Sequence, residues 1–165
     1  MKLSLYILRH GKSDWHSGAA SDRDRPLNER GTRAAGRVGE YLSSSEQVPQ
    51  LCLVSPAVRT RRTFELASES WGEAPASEVV DDIYFGGPAQ VLERIRQVPD
   101  HIERLLVVGH EPTSSAMVSS FTGIDRVAFP TAALARVDFE EESWAAVAWG
   151  AGELKLLLPA RLLPC

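Results

Sequence analysis

A chain of 165 residues with 44% hydrophobic content and a formal net charge of -4 is long enough to bury a core without metal or disulfide staples. Acidic and basic residues are mixed along it rather than blocked, which excludes nucleic-acid binding as its main business. Neither Cys52, inside an apolar run, nor Cys165, the last residue, has the spacing of a zinc site or a redox pair.

The first element is an apolar, β-rich run over residues 3–8 that ends in the polar word "RHGKS". It is too short to span a membrane and no small-residue cleavage site follows, so the expectation is a soluble, cytoplasmic protein without membrane contact, forming one domain over residues 1–165. "WHSGAASDRDRP" reads as a loop. Residues 30–44 then place Ala34, Val38, Tyr41 and Leu42 at helical spacing. "QLCLVSP" is a second short strand stopped by Pro56. The helix that follows carries Val58, Arg62, Leu66 and Ser70 on one stripe. Residues 77–83 suggest a third strand and "AQVLERIRQV" a third helix. "RLLVVGHEP" repeats the opening pattern: a buried strand, Leu105 to Val108, delivers Gly109 and His110 into a loop, and a helix is expected from Thr113 to Phe121. Beyond Leu134, "LARVDF", "SWAAVAW" and "ELKLLL" look like strands of an antiparallel meander. Alternating strands and helices followed by hairpins predict an α/β fold, a three-layer α/β/α sandwich with a mostly parallel centre and antiparallel C-terminal strands. Ligands bind such sheets beyond the carboxyl ends of the strands. Arg9 and His10, Ser55 and Arg59, and Gly109 and His110 all lie there.

Two chemistries compete for the first loop. Gly11-Lys12-Ser13 ends like a phosphate-binding P-loop, but that motif needs a glycine at position 6, which is Tyr6. The other chemistry uses Arg9, His10, Arg59 and His110 as one pocket. A neutral imidazole attacks phosphorus as a nucleophile, and arginine forks hold the phosphoryl oxygens with permanently charged, paired donors. Two arginines and a second histidine form an electrostatic cage that needs no metal or other cofactor. Each residue alone has an ordinary reading: a hydrogen-bonded histidine, or a solvated basic face for Arg59 beside Arg61 and Arg62. His16 and His101 read as solvated residues.

"LRHGKS", "SPAVRTRRT" and "VVGHEP" resemble the three signature segments of the histidine phosphatase superfamily, the phosphoglycerate-mutase-like family. With "DRDRPLNERG" between the first two, the short chain is similar to the SixA-type phosphohistidine phosphatases. The resemblance runs over nearly the whole chain in order and spacing. It implies that His10 is the phosphorylated nucleophile and that Arg9, Arg59 and His110 bind the phosphoryl group.

Many members of that superfamily carry a glutamate after the third strand that protonates a leaving alcohol. Here "VDDIYFGG" puts Asp82 nearest that position, as a shorter acid or as an ordinary loop carboxylate. Imidazole, with a pKa near 6.5, leaves far more easily than an alkoxide, so a weak acid points to an N–P bond. The short chain also leaves little room for the helical insertions that cover the pocket in larger relatives, so an open pocket is expected. These features favour hydrolysis of phosphohistidine on a partner protein, a phosphotransfer domain or similar, through a covalent phosphohistidine intermediate. The alternatives are a phosphatase of a small phosphoester metabolite and, from another class, a non-catalytic phosphohistidine-binding regulatory module. A mutase would need a closed pocket to hold its intermediate.

Overall fold

β1 (Leu3–Arg9) is buried on both faces up to Leu8, and side chains alternate across a strand, so it needs apolar cover on each side. Leu3, Leu5 and Ile7 join one core cluster with Val91, Ile95, Met117 and Phe121. Tyr6 and Leu8 join a second with Val38, Leu42, Ala67 and Trp71. Those partners sit on two helical layers. In the computed structural model, which describes residues 2–165, α1 (Glu29–Ser44) and α2 (Val58–Ser68) cover one face of the sheet, while α4 (Pro88–Ile95) and α5 (Thr113–Thr122) cover the other.

The remaining elements are β2 (Leu51–Val54), β3 (Ala76–Val79), the single-turn α3 (Asp82–Phe85), β4 (Arg104–Gly109), β5 (Leu134–Phe139) and β6 (Glu153–Leu158), with 3-10 turns at Trp144–Ala146 and Ala160–Leu162. The strand order is β3-β2-β4-β1-β5-β6. β3, β2, β4 and β1 run parallel, whereas β5 and β6 are added antiparallel. This is the expected three-layer α/β/α sandwich. Cys52 is buried and Cys165 exposed, both as free thiols. Among the described residues, no helix is long and apolar enough to cross a membrane.

Three expectations fail for physical reasons. "SWAAVAW" is no strand: Trp144 turns fully inward, its indole N–H donates to the Ile102 carbonyl at 2.6 Å, and only Val147 follows it into the core. The stripe on α2 is also different. Its buried face is Arg59, Thr60, Thr63 and Ala67, while Arg62 is exposed. Polar residues can occupy that face because their hydroxyls are bonded inside the helix, Thr60 Oγ1 to the Ala57 carbonyl at 2.8 Å and Thr63 Oγ1 to that of Arg59 at 2.7 Å. β3 stops at Val79 as an exposed edge strand, and residues 82–85 wind into α3 instead of extending it.

α1 and α2 approach so closely that a Cβ on Gly39 would overlap the backbone of Ala67, whereas one on Gly36, also in α1, would meet nothing within 4 Å. Overpacking against backbone has no side chain to rotate away, so Gly39→Ala is expected to cost about 1–3 kcal/mol. Gly36→Ala should gain up to about 1 kcal/mol from helix propensity. Denaturant melts of the two variants beside wild type check this, and equal midpoints would contradict the close α1–α2 contact.

Candidate active site

Three adjacent parallel strands end at one edge and place one residue each there. The His10 N–H donates to the Gly109 carbonyl at 3.1 Å and the Ser55 N–H to that of Val108 at 3.1 Å, which ties the ends of β1, β2 and β4 together. His10 follows β1, Ser55 follows β2, His110 follows β4, and Arg59 sits in the first turn of α2. His10, Arg59 and His110 line a cleft of about 450 Å3 with Arg9, Asp22 and Tyr84 among its other walls, and Ser55 is fully buried behind it.

His10 is 6% exposed and Arg59 5% exposed. The Nδ1 of His10 lies 2.6 Å from its neighbour's carbonyl, Gly11 O. A carbonyl only accepts, so Nδ1 is assigned the hydrogen and Nε2 keeps its lone pair. That lone pair accepts from Arg59 Nε at 3.3 Å. Burial lowers the His10 pKa to about 3, with the nearby charges of Arg59, His110 and Arg9 acting in the same direction. His10 is thereby a neutral imidazole whose Nε2 faces a cation: the state a nucleophile requires.

His110 completes the pair, its ring centroid 5.3 Å from that of His10. Its Nδ1 lies 3.4 Å from Arg59 Nη2 and its Nε2 lies 2.7 Å from Ser55 Oγ. An arginine only donates, so Nδ1 is the acceptor and Nε2–H points to Ser55. Burial first, and then Arg59, lowers the His110 pKa to about 4. Arg9 lies at the same edge, its Nη1 donating to the Phe129 carbonyl at 3.0 Å. Its Nε is buried with no hydrogen-bond partner among the described residues.

Sequence reasoning missed Asp22, which organises the site from the "SDRDRP" loop. Its carbonyl accepts from Arg59 Nη1 at 2.7 Å and its Oδ2 from Arg59 Nη2 at 3.0 Å. The same Oδ2 accepts from the Tyr84 hydroxyl at 2.7 Å, and Oδ1 accepts from Arg25 Nη1 at 2.5 Å. These donors, the Tyr84 hydroxyl foremost, hold the Asp22 carboxyl well below the usual carboxylate range. Thr63 was missed as well: its hydroxyl accepts from the Gly11 N–H at 3.0 Å and anchors the His10 loop to α2. Both lie inside quoted segments, Asp22 opening "DRDRPLNERG" and Thr63 closing "SPAVRTRRT", but the links from Asp22 to Arg59 and from Thr63 to Gly11 span 37 and 52 positions and leave no local pattern.

Arg9, His10, Arg59 and His110 are therefore brought together, and Asp82 is not. Asp82 is exposed in α3 and does not line the cleft; Tyr84, two residues on, does. The reason is local: α3 is one turn, and it aims Ile83 into the core and Tyr84 at the cleft, leaving Asp82 to solvent. The carboxylates in the cleft wall are Asp22 and Glu111, and Glu111 accepts from the Ser115 N–H and hydroxyl at 2.7 and 2.8 Å. Lys12 lines the cleft, and Ser13 is buried, accepting from Arg25 Nε at 2.9 Å.

Known proteins share this arrangement of sequence and fold. A family model described as the histidine phosphatase superfamily (branch 1) matches residues 5–86. An uncharacterized protein of Mycobacterium tuberculosis is 38% identical over 138 residues, covering 78% of this chain and 84% of that one. A chain described as a phosphohistidine phosphatase SixA from Nakamurella multipartitia superposes with a TM-score of 0.83 at 26% identity, covering 96% of each chain. The protein histidine phosphatase SixA complexed with tungstate has the same fold, with a TM-score of 0.83 at 23% identity, over 96% of this chain and 98% of that one. At 16% identity and a TM-score of 0.73, over 96% and 98% of the two chains, the fold also occurs in an Escherichia coli chain described as an alpha-ribazole-5'-P phosphatase.

The two depressed histidines make stability depend on pH. Below about 6.5 the unfolded chain takes up protons that the folded sites refuse until about 4 and about 3. The stability they contribute is thus present above pH 6.5 and lost as the pH falls through that window. Thermal melts of wild type should drop more steeply between pH 7 and pH 4 than those of His10→Asn. Parallel slopes would show that His10 is not held neutral by the fold.

Proposed function

The chain belongs to the histidine phosphatase superfamily and is a phosphatase, and we propose that its substrate is phosphohistidine carried by another protein, such as a phosphotransfer domain. His10 is the nucleophile of this reading. Its Nε2 attacks phosphorus in line, the new N–P bond forms on His10, and the N–P bond to the substrate imidazole breaks. The departing imidazole takes its proton from solvent. Water then attacks the phosphorylated His10, releasing inorganic phosphate and restoring the neutral ring.

Arg59 and Arg9, which both line the cleft, hold the phosphoryl oxygens. His110 joins them by a change of proton. Arg59 disfavours a charge on its ring, but an arriving phosphoryl dianion supplies negative charge that favours a proton on Nδ1, which can then donate. Asp22 keeps the Arg59 fork aimed, and is a positioning residue.

The observation that carries the phosphohistidine reading is the state of the carboxylates. An alkoxide needs a carboxylic acid poised beside the leaving oxygen, whereas imidazole does not. Asp22 is locked as an anion by three donors, both Glu111 oxygens accept from Ser115, and Asp82 stands outside the cleft. None of the three is placed to give up a proton.

A phosphohistidine peptide should therefore be hydrolysed with a higher kcat/KM than sugar phosphates or p-nitrophenyl phosphate. His10→Ala should abolish turnover on every substrate, and Arg59→Ala should lower kcat by about 10²–10³ without loss of fold. Asp82→Asn should leave the phosphohistidine rate unchanged. Efficient ester hydrolysis that collapses in Asp82→Asn would instead assign the protein to small phosphoesters.

A further inference from the structure

Beside the cleft, and sharing Lys12 and Thr131 with its wall, lies a second depression of about 320 Å3 that the chemistry does not use. Lys12, Arg30, Arg33, Arg37 and Arg161 line it and no acidic residue does. In a chain with 18 basic residues and a net charge of -4, five cations around one groove are a strong local reversal of sign. They come together from the loop after β1, from positions one turn apart on α1, and from the 3-10 turn after β6. Their charge is nearly uncompensated: Arg33 lies 3.9 Å from Glu29, and the other four form no ion pair among the described residues. The floor is apolar, made by Ala34, Pro130, Pro159 and Ala160.

We infer that this groove docks an acidic segment of the protein that carries the phosphoryl group, gripping carboxylates that flank the phosphohistidine. The inference rests on the phosphohistidine reading and names the partner surface that it requires. Lys12, Arg30, Arg33 and Arg161 are solvent-exposed, and none of the five cationic heads is braced by hydrogen bonds as Arg59 is. Flexible, hydrated cations suit diffuse attraction to several carboxylates and steering of a macromolecular partner. A site built to grip one small anion would instead resemble the Arg59 cluster, where every donor is aimed. The rim of the cleft supports the same partner class. Trp15, in the cleft wall, is 69% exposed, and Phe85, also 69% exposed, packs its ring 4.8 Å from that of Tyr84. Exposed aromatics beside arginines are the composition of protein-binding surfaces.

The test uses two synthetic peptides of equal length, each with one phosphohistidine, flanked by glutamates in one and glutamines in the other. At low ionic strength the wild type should hydrolyse the glutamate peptide with a kcat/KM roughly three- to tenfold higher, as expected of a few exposed ion pairs. The preference should vanish in about 0.5 M salt and in the double variant Arg33→Ala/Arg37→Ala, whose turnover of p-nitrophenyl phosphate stays that of wild type. By fluorescence anisotropy, an unphosphorylated glutamate peptide should bind the wild type and lose binding in the double variant. Equal rates on the two peptides, or a preference that survives the double variant, overturn the inference. So does tight, variant-sensitive binding of tripolyphosphate without binding of the glutamate peptide, which would assign the groove to a small polyanion. Failure of the phosphohistidine reading looks different: both phosphohistidine peptides turn over slowly beside a phosphoester, while the glutamate peptide still binds wild type and not the variant.

Discussion

The Arg59 guanidinium is the interaction on which the site depends. A nearly buried cation is costly unless its donors find partners, and here they find Asp22 twice, His10 once and His110 once. Each of these bonds does chemical work. The bond to His10 orients Nε2 and, with burial, keeps its lone pair free of a proton. Burial first, and then the Arg59 charge at His110 Nδ1, disfavour a second proton on that ring. The Asp22 carboxylate offsets the cation, and with the Asp22 carbonyl it stops the fork from swinging. A lysine could not replace it, because one ammonium cannot present three fixed nitrogens to three separate walls.

The fold exists in large part to hold that guanidinium in place. α2 starts directly after β2, so Arg59 is carried to the strand edge, and Thr63 one turn later links the helix to the Gly11 N–H. On the other side the loop after β1 is pressed against α1: a Cβ on Gly11 would lie 2.6 Å from the Gly31 carbonyl oxygen. Two glycines thus let β1, α1 and α2 meet at one point, and His10 is trapped among them. The Gly-Lys-Ser ending of that loop has a packing role for its glycine and a hydrogen-bonding role for Ser13, not a nucleotide-binding one.

The site and its surroundings divide electrostatic labour. At the centre of the cleft His10 and Arg59 are buried and Arg59 is aimed by four hydrogen bonds, which suits stabilisation of a phosphoryl group in transit. Around it, cations are numerous and solvated, and aromatic residues stand in water. Under the docking proposal such a gradient draws a large anionic partner towards a small reactive centre, and its outer part weakens with salt while its inner part does not.

How much of this was legible beforehand follows from where each signal resides. β1 and β4 were readable because a run of apolar residues ending in Arg9-His10 or Gly109-His110 is local, and the parallel strand edge as a gathering point follows from the alternation of elements. The four residues proposed to meet the phosphoryl group, Arg9, His10, Arg59 and His110, were gathered from their places after the parallel strands and from the family resemblance of their three segments. Trp144 was misread because alternation of small apolar residues looks like a strand until one ring finds a core to enter. The inward face of α2 was misread because Thr60 and Thr63 satisfy their hydroxyls within the helix, a fact no hydropathy pattern carries. Asp82 was picked as the acid nearest the glutamate position after the third strand, yet the single turn of α3 points it to solvent and brings Tyr84 to the cleft. By itself the sequence determined the strand edge and the histidines and arginines that gather there. Only the tertiary structure decided that Asp22 holds Arg59, that the cleft carboxylates are all engaged, and that five scattered cations form one groove, because each of these depends on contacts between segments far apart along the chain.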